Sequence, residues 1–237
     1  MAEHWLQRTE LLFGAEKMKR LHDAHVLVVG TGGVGAYAAE MICRAGVGCL
    51  TLVDADEVQI TNLNRQLPAM HSTLGQPKVK ILADRFRDIN PELQVEARAA
   101  YLTEEDIPQL LDSEKFSFIV DAIDTITPKC TLISEAWKRH IPIVSSMGAG
   151  AKHDLSKIQF ADLWDTYHCG LSKAVRKRLQ KMGPKRKLPV VFSTEQADTN
   201  AILLVDNEKN KKSTAGTVSY MPAVFGCYLA QYVIEHL

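Results

Sequence analysis

The chain has 237 residues, 46% of them hydrophobic and 24% charged, with 28 basic and 28 acidic side chains and so no formal net charge. That length suits one α/β unit with a full core, and the charge balance excludes a surface that binds polyanions as a whole, so a nucleic acid must be met by a local patch. The five scattered cysteines, Cys43, Cys49, Cys130, Cys169 and Cys227, form no C-x-x-C pair, which argues against a disulfide framework or a structural zinc and for a reducing, cytoplasmic setting.

The N-terminal stretch MAEHWLQRTELLFG is mixed and charged, without the apolar core of a signal peptide. A first strand over Val26 to Val29 runs into GTGGVG, and a helix over Val34 to Arg44 follows. Gly30, Gly32 and Gly35 thus match G-x-G-x-x-G in its required setting, where glycines allow a tight turn and close approach of phosphate to backbone N–H groups. A plain tight turn is the structural alternative. The second strand, Leu50 to Val53, ends at Asp54, placed to accept both ribose hydroxyls. These features alone favour a nicotinamide or flavin enzyme.

The next segment changes that expectation. VDADEVQITNLNRQ, Val53 to Gln66, brings Asp56, Asn62, Asn64, Arg65 and Gln66 back toward the C-terminal edge of the sheet, and Arg65 offers a planar fork of donors suited to phosphate. GQPKV then starts a helix over Lys78 to Ile89. A cation in its first turn opposes the helix dipole, which makes sense if a triphosphate sits there; otherwise Lys78 is a solvated surface lysine. A strand over Gln94 to Arg98 and a helix over Glu104 to Leu111 lead to the apolar strand Phe118 to Ala122, which ends in DAID. Asp124 emerges there facing the phosphates, an arrangement that is repulsive without an intervening cation, so it is the candidate magnesium ligand. The alternative gives Asp124 or Thr125 the N-cap of a helix starting near Pro128. A helix over Lys129 to Arg139 and a strand over Ile141 to Ser145 complete this half.

After Gly150 the pattern shifts to short strand candidates, KIQFADL, PVVFS, AILLV and TVSYM, around one basic helix, while NEKNKKSTAG reads as a mobile polar loop. The expected fold is α/β: a Rossmann-like, doubly wound, mostly parallel sheet extended by antiparallel strands in the C-terminal part. We expect a single domain over 1–237, with 1–150 the nucleotide-binding half and 151–237 a substrate-side extension and C-terminal helix. The apolar run MPAVFGCYLAQYVI is too short and interrupted for a membrane span. In Ser172 to Lys187, Lys173, Arg176, Lys177, Arg178 and Lys181 accumulate with Lys185, Arg186 and Lys187, while Leu171, Ala174, Val175, Leu179 and Met182 recur at helical spacing. The first five are candidate RNA-backbone contacts; a solvated face is the plainer reading. Cys169, beside His168 and close to Lys173, is either a nucleophile or, more in keeping with its neighbours, a structural thiol.

RTELLFG (Arg8 to Gly14), GTGGVG, VDADEVQITNLNRQ, GQPKV and DAID, in this order, resemble the ubiquitin-activating-enzyme superfamily of ThiF-type adenylating domains. The resemblance implies ATP and Mg2+ as cofactors and attack of a carboxylate on the α-phosphate, giving an acyl-adenylate and pyrophosphate. It implies that Asp54 holds the ribose, Asn62 and Arg65 line the phosphates, and Lys78 meets the outer phosphates. Asp124 would be the magnesium-linked aspartate and Arg8 an arginine finger reaching the neighbouring subunit's ATP, hence a homodimer. The nucleotide set is then Gly30, Gly32, Gly33, Gly35, Asp54, Asp56, Asn62, Asn64, Arg65, Gln66, Lys78 and Asp124, with Arg8, Arg65, Lys78 and Asp124 as its catalytic members. The basic helix with PVVFSTE, TVSYMPAVFG and SSMGAGAKHDLSKIQFADL is similar to one branch, the tRNA threonylcarbamoyladenosine dehydratases, over nearly the whole chain. That branch implies a tRNA substrate whose activated carboxylate closes into a ring, with sulfur-transfer proteins as candidate partners. The competing expectation is an adenylyltransferase for the C-terminus of a ubiquitin-like or sulfur-carrier protein, although the zinc pairs common in such relatives are absent. The loop around Asn207 to Lys212 departs from the pattern of the branch.

Overall fold

The computed structural model describes residues 4–204 and 213–237. The strands are His25–Val29 (β1), Cys49–Val53 (β2), Gln94–Arg98 (β3), Phe118–Asp121 (β4), Ile143–Ser146 (β5), Ile158–Asp162 (β6) and Pro189–Ser193 (β7), with Val, Ile and Leu concentrated in the inner ones. They make one sheet in the order β3-β2-β1-β4-β5-β7-β6. Every pairing is parallel except β6 with β7. Leu27, Val28, Ile119 and Val120 are fully buried, as central strands covered on both faces must be.

Gly35–Arg44 (α2), Lys78–Ile89 (α3) and Tyr220–His236 (α7) share one hydrophobic cluster with alternate residues of the sheet. Asp106–Ser113 (α4), Ile126–Lys138 (α5) and Gly170–Met182 (α6) share the cluster on the opposite face. The chain winds outward from β1 through β2 to β3, then returns to place β4 on the other flank of β1. The strand order therefore reverses between β1 and β4, and a crevice opens at their C-terminal edges.

Two expectations are corrected, and one helix is additional to them. Gln7–His22 forms a helix (α1) that mixed composition hid; it is interrupted at Gly14, whose φ of 78° and ψ of 161° suit only glycine. TVSYM is not a strand: Thr217 and Val218 lead into α7, whose N-cap is Ser219. A short apolar run is ambiguous by itself, and here Met221, Phe225, Leu229 and Val233 continue it at four-residue spacing into the core. Ser213–Ala215 (β9), assigned above to a polar loop, pairs antiparallel with Ile202–Leu204 (β8). Asn207 to Lys212 lie outside the described residues. The apolar content of α7 is thus core packing, and no helix among the described residues is long and apolar enough to cross a membrane.

The α2–α7 contact is unusually close at Gly226, where a Cβ would lie 2.5 Å from Val34 O and 2.8 Å from the Tyr37 Cβ. Alanine gains about 1 kcal/mol of helix propensity there, but overpacking against backbone costs about 1–3 kcal/mol. Gly226→Ala is expected to lower the thermal unfolding midpoint; a raised midpoint would refute this packing.

Candidate active site

At the exit of β1 the chain turns so tightly that side chains are excluded. Gly30 has φ of +87°, and a Cβ on it would lie 2.7 Å from Ala122 O at the exit of β4. A Cβ on Gly35 would strike Gly30 O at 1.8 Å. The turn thus closes onto itself and opens α2, whose N-terminal N–H groups have no side-chain cap. Uncapped N–H groups and the helix dipole make this an anion-binding end. Gln66 and Pro222 bound the turn beside Gly32 and Gly33.

Asp54 clamps this turn. Its Oδ2 accepts from Thr31 N at 2.6 Å and Thr31 Oγ1 at 3.0 Å, and its Oδ1 accepts from Asp56 N at 2.8 Å. A carboxylate offers about four acceptor sites, so capacity remains for a hydroxyl. Lys78 is not a solvated surface lysine: it is 3% exposed, and its Nζ lies 2.7 Å from Oδ2 of Asp56, whose side chain is 70% exposed. Asp56 thereby offsets the clash between Lys78 and the dipole of α3.

The segment between β2 and α3 folds over the crevice. Asn62 is buried and accepts from Gln59 N through Oδ1 at 3.0 Å. Asn64 donates from Nδ2 to Thr217 O at 3.3 Å and accepts from Arg65 Nη1 at 2.9 Å. Arg65 Nη1 also donates to Thr61 O at 2.9 Å. Burial lowers the pKa of the Arg65 guanidinium, and the negative charge of Asp124 opposes that effect. The Gln66 Oε1 and Thr217 Oγ1 atoms are buried without a hydrogen-bond partner among the described residues.

The loop carrying Asp124 is held from below by a pair that sequence reasoning missed. Asp121 and Lys129 are both fully buried, with Nζ 2.9 Å from Oδ2. Asp121 also accepts from Ser145 Oγ at 2.6 Å and from Ile123 N at 3.1 Å, while Lys129 Nζ donates to Ile123 O at 2.9 Å. Their bonds fix Ile123, so the exposed Asp124 is held at the mouth of the crevice. The available signal was a lysine set among the otherwise core-facing Cys130, Leu132 and Ile133. Helix α5 begins at Ile126, earlier than expected, and its N-cap is Thr125, which makes no side-chain capping bond. Asp124 is therefore not its cap.

Other candidates lie elsewhere. The Leu6 side chain rests against Gly46, beyond the C-terminal end of α2. Ten residues of α2 span about 15 Å, so the exposed Arg8, two residues on from Leu6, sits at the far end from its own glycine turn. On α6, Lys173, Lys177 and Lys181 are exposed. Arg176 instead turns inward, donating to Leu163 O at 3.1 Å, to Thr166 O at 2.9 Å and to the Thr166 hydroxyl. Arg178 pairs with Glu104 at 3.3 Å. Val175 and Leu179 form the packed face, whereas Met182 is exposed. Cys169 is buried at the α6 N-cap, its Sγ accepting from Gly148 N at 3.4 Å and Ser172 N at 3.5 Å.

Known proteins share this arrangement. The model of the ThiF family matches residues 6–237. The chain is 41% identical over 241 residues to the tRNA threonylcarbamoyladenosine dehydratase of Bacillus subtilis, covering 99% of this chain and 94% of that protein. It is 34% identical over 257 residues to the enzyme of that name from Escherichia coli, covering 100% and 96%. The crystal structure of the Escherichia coli dehydratase in complex with ATP superposes with a TM-score of 0.88 at 33% identity, covering 99% of this chain and 95% of that one.

Removing one member of the buried pair leaves an uncompensated charge. Lys129→Met is expected to cost about 3–5 kcal/mol in denaturant unfolding, and Asp121→Asn added to it should recover part of that loss. Full stability in the single variant would show that the pair does not hold the loop.

Proposed function

The chain belongs to the ThiF family, and we propose that it uses ATP to adenylate the carboxylate of threonylcarbamoyladenosine in tRNA and close it into a ring with net loss of water. The observation that carries this reading is full-length similarity to dehydratases in a chain whose crevice gathers an uncapped helix N-terminus, Arg65 and Lys78. Adenylation asks the protein mainly to hold a carboxylate in line with the α-phosphorus and to neutralise charge on the phosphate oxygens.

In this reading the triphosphate lies along the Gly30–Gly35 turn and the N-terminus of α2, with Asp54 accepting from the ribose. Asn62 and Asn64 brace the segment that carries Arg65, and Gln66 closes the turn beside Gly32. Arg65 is pre-aimed by its bonds to Thr61 O and Asn64, and Lys78 exchanges its exposed partner Asp56 for the outer phosphates. No group of three or more His, Cys, Asp or Glu that could hold a metal ion exists among the described residues. Mg2+ commonly takes one or two carboxylates and completes its shell with phosphates and water, so Asp124 alone fits. The ion, when bound, would supply further charge neutralisation.

Arg8 lies far from its own turn and is flanked by the exposed Leu11, Leu12 and Phe13. We therefore read α1 as a homodimer face that carries Arg8 to the second subunit's nucleotide. The exposed lysines of α6 suit the tRNA backbone, and a tRNA enzyme with free cysteines belongs in the cytoplasm. Ring closure is intramolecular, so no covalent enzyme thioester is strictly required, and sulfur-transfer proteins stay candidate partners.

Mass spectrometry of hydrolysed tRNA after incubation with this protein, ATP and magnesium should show threonylcarbamoyladenosine losing one water; an unchanged nucleoside would reject the function. Arg65→Ala and Asp124→Ala are expected to slow ATP–pyrophosphate exchange by about 10²–10³ without changing the unfolding midpoint. Lys173→Glu with Lys177→Glu should weaken tRNA binding and flatten its salt dependence, and an unchanged slope would return α6 to a merely solvated face.

A further inference from the structure

On the β5–β7 side of the crevice the chain buries a lysine that adenylation does not use. Lys152 lies between β5 and β6 and is 4% exposed. Its Nζ donates to Ser193 O, at the end of β7, at 2.8 Å, and makes no other hydrogen bond among the described residues. An ammonium carries three donors, so the charged form would leave two of them unsatisfied in the interior. Burial lowers the Lys152 pKa, an effect that the neighbouring Cys169 and Glu195 oppose.

The groups facing it are few. Cys169, at the head of α6, is held by two backbone N–H groups as described above. Glu195, just past β7, accepts from His153 N and Asp154 N at 2.9–3.1 Å. The exposed His153 ring lies 3.8 Å from Glu195. Behind Cys169, Ser172 in the first turn of α6 is fully buried, and its Oγ has no hydrogen-bond partner among the described residues. Ala151 and His168 both hold left-handed backbone, with φ of 58° and 50°. Such strain in non-glycine residues clusters at functional sites. A buried, under-bonded amine beside a thiol and a carboxylate, with left-handed backbone at the residue before it, is an unusual structure to keep for packing alone.

Its location suits the second half of the reaction. β4, β5 and β7 are consecutive parallel neighbours, so Asp124 leaves β4 at the same edge at which Lys152 meets the end of β7. Two strand spacings are about 10 Å, a span on the scale of a threonylcarbamoyl group attached to its base.

We infer that Lys152 is the proton acceptor for ring closure, a role that rests on the function proposed above. The ureido nitrogen of the substrate forms a bond to the activated carbonyl carbon. The bond from that carbon to the AMP phosphate oxygen breaks, and AMP leaves with the electron pair. The ureido proton passes to the neutral Lys152 amine, which becomes an ammonium and afterwards returns the proton to water. A purely structural lysine, tying the segment after β5 to β7, would instead affect adenylation and closure alike.

The test measures ATP–pyrophosphate exchange and cyclic nucleoside formation separately on the full chain with threonylcarbamoyladenosine-containing tRNA. Lys152→Gln keeps a donor toward Ser193 O, and Lys152→Arg keeps donor and charge but gives up no proton. Both variants are expected to exchange pyrophosphate within about threefold of the parent while ring formation falls by about 10²–10⁴. In the parent, ring formation should rise with pH as the lysine loses its proton, a limb that exchange does not share and that both variants lack. Ring formation by Lys152→Arg within about threefold of the parent, or identical pH profiles for the two reactions in the parent, would overturn the assignment. If Lys152→Gln does not fold, the arginine variant and the parent's profiles decide. A parent that exchanges pyrophosphate yet never forms the ring would reject the proposed function itself, a distinct outcome.

Discussion

Beneath the crevice, an aspartate and a lysine with no access to water hold each other and the loop above them. Asp121 ends β4, and Lys129 reaches it from the first turns of α5. Such pairs contribute little net stability, because desolvation nearly cancels the attraction. Their effect is on geometry: with Ser145 Oγ and the backbone of Ile123 also bonded, the exit of β4 has one conformation. Gly30 packs against Ala122 in that exit, so the glycine turn and Asp124 are placed by the same network.

The cations around the crevice differ in how firmly they are committed. Lys129 is bound to a fully buried carboxylate and cannot turn to a ligand without leaving that charge unpaired. Lys78 is equally buried but faces an exposed carboxylate, which water can solvate if the lysine turns to another anion. Arg65 is braced by Asn64 and a backbone carbonyl, which orient the fork while leaving its charge formally uncompensated except by Asp124. Fixed dipoles and charges of this kind need little reorganisation when phosphate charge develops.

The second flank of the sheet has a different chemistry. Around β5 and β7 the polar groups are a thiol, several serine hydroxyls, an amine and a carboxylate already taken up by backbone N–H groups. These groups suit proton movement after the leaving group has been installed, and the order of the strands keeps the two chemistries side by side at one edge.

The amino-acid sequence by itself determined most of the framework. Alternating strand and helix runs gave β1 to β5 and α2 to α5 nearly at their observed bounds, because central strands are apolar throughout and their helices carry one apolar face. The glycine turn, Asp54, Arg65 and Lys78 were legible because each belongs to a local motif whose chemistry depends on short spacing. What tertiary structure alone decided involves partners that no local motif pairs. The Asp121–Lys129 lock, the inward turn of Arg176, the burial of Lys152 against Ser193 and the distance of Arg8 from its own turn are such cases. A charged residue reads as solvated until its partner is known, and whether burial leaves it paired or exposed to a ligand is set by strand order, which no local pattern records.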